Sequence, residues 1–84
     1  MITIQQLENI CNSVCSRTHG ESNVEIEDNS VRVTVRDGVD NEPSARAWSA
    51  AMLIKGAVLN GIEDQIKVEV ETVDEWVDIT FTIK

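Results

Sequence analysis

The chain has 84 residues, 15 of them acidic and 7 basic, for a formal net charge of −8, and 42% are hydrophobic. That balance weighs against direct binding of nucleic acid or an anionic membrane, both of which are gripped through clustered Lys and Arg, and no apolar run approaches the roughly 18 residues of a membrane-spanning helix. A chain this short reads as one domain and buries only about 60–65% of its unfolded surface, which leaves a thin core and little room for a deep pocket.

The N-terminal stretch lacks the positive start and continuous apolar run of a secretory signal, so a cytoplasmic location is expected. Thr3 and Gln6 have capping-box spacing, with Ile2 and Leu7 as the hydrophobic staple across it. Ile4, Leu7, Ile10, Cys11, Val14 and Thr18 follow at helical spacing. Arg17 and His19 stand where the helix dipole favours cations, and Gly20 offers a left-handed exit, which predicts a helix over 3–19.

Cys11, Cys15 and His19 recur every fourth residue, so one line of that helix is a candidate thiol or soft-metal site. A structural zinc site wants four ligands, usually as paired short cysteine spacings, and the chain has one histidine and no Cys-x-x-Cys. Buried reduced cysteines beside a histidine placed for the dipole are the simpler expectation. A Cys15–His19 nucleophile would lack a third group to orient the base, and no Gly-rich phosphate cradle is present. Neither metal nor cofactor is expected, and the chain does not read as an enzyme.

Val24 and Ile26 alternate with Glu25 and Glu27, and Val31, Val33 and Val35 with Arg32, Thr34 and Arg36, so a hairpin is expected around Asp28-Asn29-Ser30. Depending on the turn, Glu27 or Glu25 lies opposite Arg32. The loop Asp37–Glu42 carries closely spaced acids, as calcium loops do, but lacks the Asp-x-Asp-x-Asp-Gly run and reads as a solvated turn.

The stretch from Pro43 to Gly61 is the longest apolar segment and predicts the core helix, with Asn41 or Glu42 as its cap. Ala47, Trp48, Ala51, Met52, Ile54, Val58 and Leu59 share one arc, which makes Trp48 a core residue. Leu53 stands on the outer side among Ser49, Gly56 and Asn60, flanked by Ala50 and Ala57. That small-residue surface is a candidate homodimer contact.

A second hairpin follows, in which Ile66, Val68 and Val70 alternate with Lys67, Glu69 and Glu71, and a turn at Asp74-Glu75 leads into Val77, Ile79, Phe81 and Ile83. This turn pairs Val70 with Ile79 and Val68 with Phe81. Trp76 has outward parity beside Val73, suited either to a partner contact or to covering the hairpin end.

The order α-β-β-α-β-β, with one wet face per strand, predicts an α+β two-layer sandwich: a four-stranded antiparallel sheet of order 1-2-4-3, a permuted ferredoxin-like arrangement, with two helices on one face. That topology gathers Glu21, Asp37, Asp40, Glu42, Glu71, Asp74, Glu75 and Asp78 near one pole, offset in part by Arg17, Arg36 and Arg46. It also sets Glu71 opposite Asp78, a like-charge pair that costs stability.

An acidic pole beside an exposed indole can imitate a nucleic-acid backbone towards a basic, nucleic-acid-binding protein. In composition the chain resembles small acidic proteins that bacteriophages make against host defence or DNA-handling machinery. The expected function is therefore a non-enzymatic binding module, an inhibitor by mimicry. The alternatives are an assembly subunit dimerising through the core helix, and a thiol or metal-binding protein.

Overall fold

The computed structural model describes residues 1–38 and 42–84. Its elements are α1 (Ile4–Ser16), β1 (Glu21–Glu27), β2 (Ser30–Arg36), α2 (Ala45–Leu59), a 3-10 turn (Glu63–Gln65), β3 (Ile66–Val73) and β4 (Trp76–Ile83). All four strands form one antiparallel sheet in the expected order β1-β2-β4-β3. β2 and β4 take the centre because only they are buried on alternate residues throughout: Val31, Val33 and Val35 on β2, and Val77, Ile79 and Phe81 on β4. Both helices cover that apolar face, α1 over β1 and β2, and α2 over β2 and β4. Among the described residues no helix covers the opposite face of the sheet.

The capping box forms as expected: Thr3 Oγ1 accepts from the Gln6 amide at 3.2 Å and Gln6 Oε1 from the Thr3 amide at 2.9 Å. The helix stops at Ser16, before the expected end at His19, because side chains compete for its last carbonyls. Ser16 Oγ and Arg17 Nε donate to the Ser13 carbonyl at 2.8 and 3.2 Å, and Thr18 Oγ1 donates to that of Val14 at 2.8 Å. Gly20 then takes φ +92°, and a Cβ there would stand 3.1 Å from the Arg36 carbonyl.

The face that α2 buries differs from the expected arc. Ala47, Ala50, Ala51, Ile54 and Val58 are inside, whereas Trp48 and Met52 are 40% and 41% exposed. Ala50, expected on the outer side next to Leu53, is fully buried. The alanines let α2 lie close on the buried side chains of β2 and β4, and an indole among them would hold the helix off the sheet. Its cap is Ser44, whose Oγ accepts from the Ala47 amide at 3.0 Å and donates to the Asp37 carbonyl, tying the loop to the helix start. Of the caps expected, Glu42 lies outside the helix and Asn41 lies outside the described residues.

Both hairpins close through two residues, Asp28-Asn29 and Asp74-Glu75, and the first residue of each has φ +52°. Aspartate tolerates that left-handed conformation better than most side chains. The turn at Asp28-Asn29 sets Glu25 opposite Arg32, one of the two registers left open by the sequence, and Arg32 reaches both Glu25 and Glu27, at 3.4 and 2.5 Å. In the second hairpin Val70 faces Ile79, Val68 faces Phe81 and Glu71 faces Asp78.

Candidate interaction surface

The uncovered sheet face reads, across β1-β2-β4-β3, as rows of outward side chains. Asn23, Thr34, Asp78 and Glu71 form one row, and Glu21, Arg36, Trp76 and Val73 form the row nearest the β3–β4 turn. Arg36 organises the second row. Its Nη2 donates to Glu21 Oε2 at 2.6 Å, its Nη1 to Glu75 Oε1 at 3.2 Å, and its guanidinium carbon lies 5.1 Å from the centroid of the Trp76 ring. The cation over the indole face makes a cation–π contact, and Trp76, half-buried, is the shelf for Arg36. The freely exposed apolar side chain at this end is its neighbour Val73, at 50%.

The expected acidic pole thus divides into two kinds of carboxylate. Glu21 and Glu75 are bridged by Arg36. Asp37 Oδ2 accepts from Arg46 Nε at 3.0 Å and lies 3.1 Å from His19 Nδ1, and these two contacts, Arg46 first, hold its carboxyl below the usual range. Whatever Asp37 contributes to folding is present above the normal carboxylate range and fades as pH falls through its own lowered pKa. Glu42, Glu71, Asp74 and Asp78 have no ion-pair partner among the described residues, and Asp40 lies outside the described residues. Three of these unbridged acids share one hairpin. Next to them, Asn23, Glu25, Arg32, Thr34, Val73, Trp76 and Asp78 line an open groove of about 250 Å³, below the roughly 300–1,000 Å³ of a small-molecule site.

On the helix side, Leu53 is 59% exposed and lines a second groove of about 300 Å³ with Ala57, Val14, Arg17, Thr18 and His19, between the end of α1 and the flank of α2. Ser49 and Gly56 are exposed further round the helix, and a Cβ on Gly56 would meet nothing within 4 Å. The small residues therefore do not form one continuous stripe with Leu53: Ala50 faces the sheet and Ala57 faces α1.

The line Cys11–Cys15–His19 does not persist. With α1 ending at Ser16, His19 leaves the helical repeat and turns to Asp37. No three His, Cys, Asp or Glu side chains converge as metal ligands among the described residues. Cys11 is fully buried, and burial pushes its thiol up from 9.0 to about 12, with Cys15 and Glu8 adding to the rise. Burial also raises the half-buried Cys15, opposed by a hydrogen bond with Ser22. A raised folded pKa stabilises the fold below pH 9.0, and that contribution is lost as pH rises towards 12. Cys11 is expected to resist a thiol reagent until the chain unfolds, with Cys15 reacting more slowly than a free thiol. Rapid labelling of Cys11 in the native protein would contradict this packing.

The arginine clamp on Trp76 was hidden in the sequence, because Arg36 and Trp76 are far apart along the chain and meet only through the β2–β4 pairing. Among known proteins, no family model and no curated sequence matches the chain. No helix is long and apolar enough to cross a membrane among the described residues.

Proposed function

We propose that the chain is a non-enzymatic binding module that docks a basic protein surface onto the β3–β4 end of its open sheet face, as a nucleic-acid mimic towards a nucleic-acid-binding partner. One observation carries this reading. Glu71 and Asp78 lie directly opposite each other with no ion-pair partner among the described residues, while Arg36 serves Glu21 and Glu75 in the adjacent row. Like charges in register destabilise a sheet, and a lysine or arginine from a partner would turn that repulsion into attraction. The exposed Val73 and the edge of Trp76 offer an apolar surface for the stem of such a side chain.

The partner is then a basic protein, with no nucleic acid or membrane bound directly, and its contacts are Glu71, Asp74, Asp78, Val73 and Trp76, with Glu42 at the same pole. Glu75 and Asp37 hold the local structure through Arg36 and Arg46, so they position the surface rather than supply its free charge. Immobilised protein exposed to cell lysate is expected to retain basic proteins that elute with added salt and with competing duplex DNA. Retention that ignores both salt and DNA would exclude the mimicry.

A further inference from the structure

The sheet ends in two open edges with different chemistry. On β1 the outward side chains are Glu21, Asn23, Glu25 and Glu27; on β3 they are Lys67, Glu69, Glu71 and Val73. Antiparallel self-pairing of β1 opposes glutamates in every register that retains several pairs: Glu21 meets Glu27 when centred on Val24, Glu21 meets Glu25 when centred on Asn23, and Glu25 meets its own copy when centred on itself. An edge charged in this way discourages pairing.

The β3 edge has one register without such a conflict. The Lys84 amide donates to the Gln65 carbonyl at 3.0 Å, which fixes the alternation: Gln65, Lys67, Glu69, Glu71 and Val73 bond to β4. The backbone groups of Ile66, Val68, Val70 and Thr72 therefore point to the open edge. Centring a second antiparallel β3 on Val68 sets Val68 against Val68 and Ile66 against Val70 as hydrogen-bonded pairs. Between them Lys67 falls opposite Glu69 of the second copy, twice by symmetry, and Gln65 falls opposite Glu71. Centring on Glu69 opposes the two Glu69 side chains, and centring on Val70 opposes Glu69 to Glu71 twice. Charge complementarity thus selects both the occupant of this edge and its register.

We propose that β3 pairs with β3 of a second copy of this chain, centred on Val68, to make a two-fold dimer with one continuous sheet. The two-fold axis stands perpendicular to the sheet, so both helix layers lie on the same face. Val68 and Val70, half-buried at the edge of each copy, meet their counterparts across the seam. Trp48 and Met52 are exposed on α2, away from the Leu53 side of the helix by its spacing. The seam meets the hairpin end proposed for a basic partner only at Glu71, which falls opposite Gln65; Val73, Asp74, Trp76 and Asp78 lie outside it, and the dimer would present two such ends pointing in opposite directions. The dimer moves self-association from the Leu53 surface of α2 to the sheet edge.

Sedimentation equilibrium across a concentration series tests it with wild type, Lys67→Glu, Glu69→Lys and the double exchange Lys67→Glu/Glu69→Lys. The wild type is expected to dimerise. Each single variant sets like charges opposite each other at both 67:69 positions and is expected to raise the dimer dissociation constant about tenfold or more. The double exchange restores opposite charges at both positions and is expected to recover dimerisation, a rescue that no other β3 register gives. Both side chains are exposed, and circular dichroism checks that each variant is folded. A wild type that stays monomeric at the highest concentration overturns the proposal, as does a single variant that dimerises like wild type or a double exchange that fails to recover. Open-ended polymers would indicate β1-to-β3 pairing instead, and loss of the dimer only on Leu53→Glu would return the interface to α2; either result overturns it too.

Discussion

Truncating Phe81 to alanine is expected to cost about 3–5 kcal/mol, a large share of the total stability. Phe81 is the largest fully buried side chain, on central strand β4, facing Val31 on β2 and Val68 on β3 beneath the helices. A chain of 84 residues has a total stability on the order of 4–13 kcal/mol at about 0.05–0.15 kcal/mol per residue. Its core is built largely from valines and alanines, which offer little freedom to close a phenylalanine-sized void. Phe81→Leu keeps most of the volume and is expected to lose under about 1.5 kcal/mol if neighbours repack, while Leu53→Ala on the exposed flank of α2 is expected to stay within about 0.5 kcal/mol of wild type. Urea denaturation measures all three. If Phe81→Ala and Leu53→Ala shifted the midpoint equally, the assignment of core and surface would be wrong.

Strand alternation was the most legible feature, because each hairpin has one apolar face and a one-residue slip would expose it. Val68 with Phe81, Val70 with Ile79 and Glu71 with Asp78 were all readable from the turn at Asp74-Glu75. The face of α2 was not. Its sequence is apolar nearly all the way round, so periodicity placed Trp48 and Met52 inside, and only packing distance against β2 and β4 shows why Ala50 displaces them. The end of α1 differs for another reason: Thr18 fits the helical spacing, but its hydroxyl takes the Val14 carbonyl while the Ser16 hydroxyl and Arg17 Nε take that of Ser13.

The candidate surface was legible as charge and not as pairing. The sequence showed a surplus of acids near one pole, and the topology placed Glu71 against Asp78, but which acids are already neutralised depends on contacts between distant strands. Arg36 takes Glu21 and Glu75, and Arg46 with His19 takes Asp37. The consequence is practical: reversing Glu75 to lysine would set two cations together and loosen the Trp76 shelf, so its effect on binding could not be separated from damage to the fold. Glu71 is the cleaner position, exposed on an edge strand and free of an ion pair among the described residues.

Glu71→Lys is expected to move stability and binding in opposite directions. Opposite Asp78 and beside Glu69, a cation replaces repulsion with attraction on the open face, so the variant should be more stable by about 1 kcal/mol. If the hairpin end exists to meet a basic partner, the same change should slow association by about tenfold or more, because it removes a guiding charge and adds a repelling one. A carboxylate kept for binding at the expense of folding predicts that opposition, and a merely solubilising surface does not. The most direct measurement is therefore the association rate of wild type and Glu71→Lys with a basic protein retained from lysate, alongside their urea midpoints. The proposed function predicts a higher midpoint and a slower association for Glu71→Lys. An unchanged association rate in a stabilised variant would contradict it.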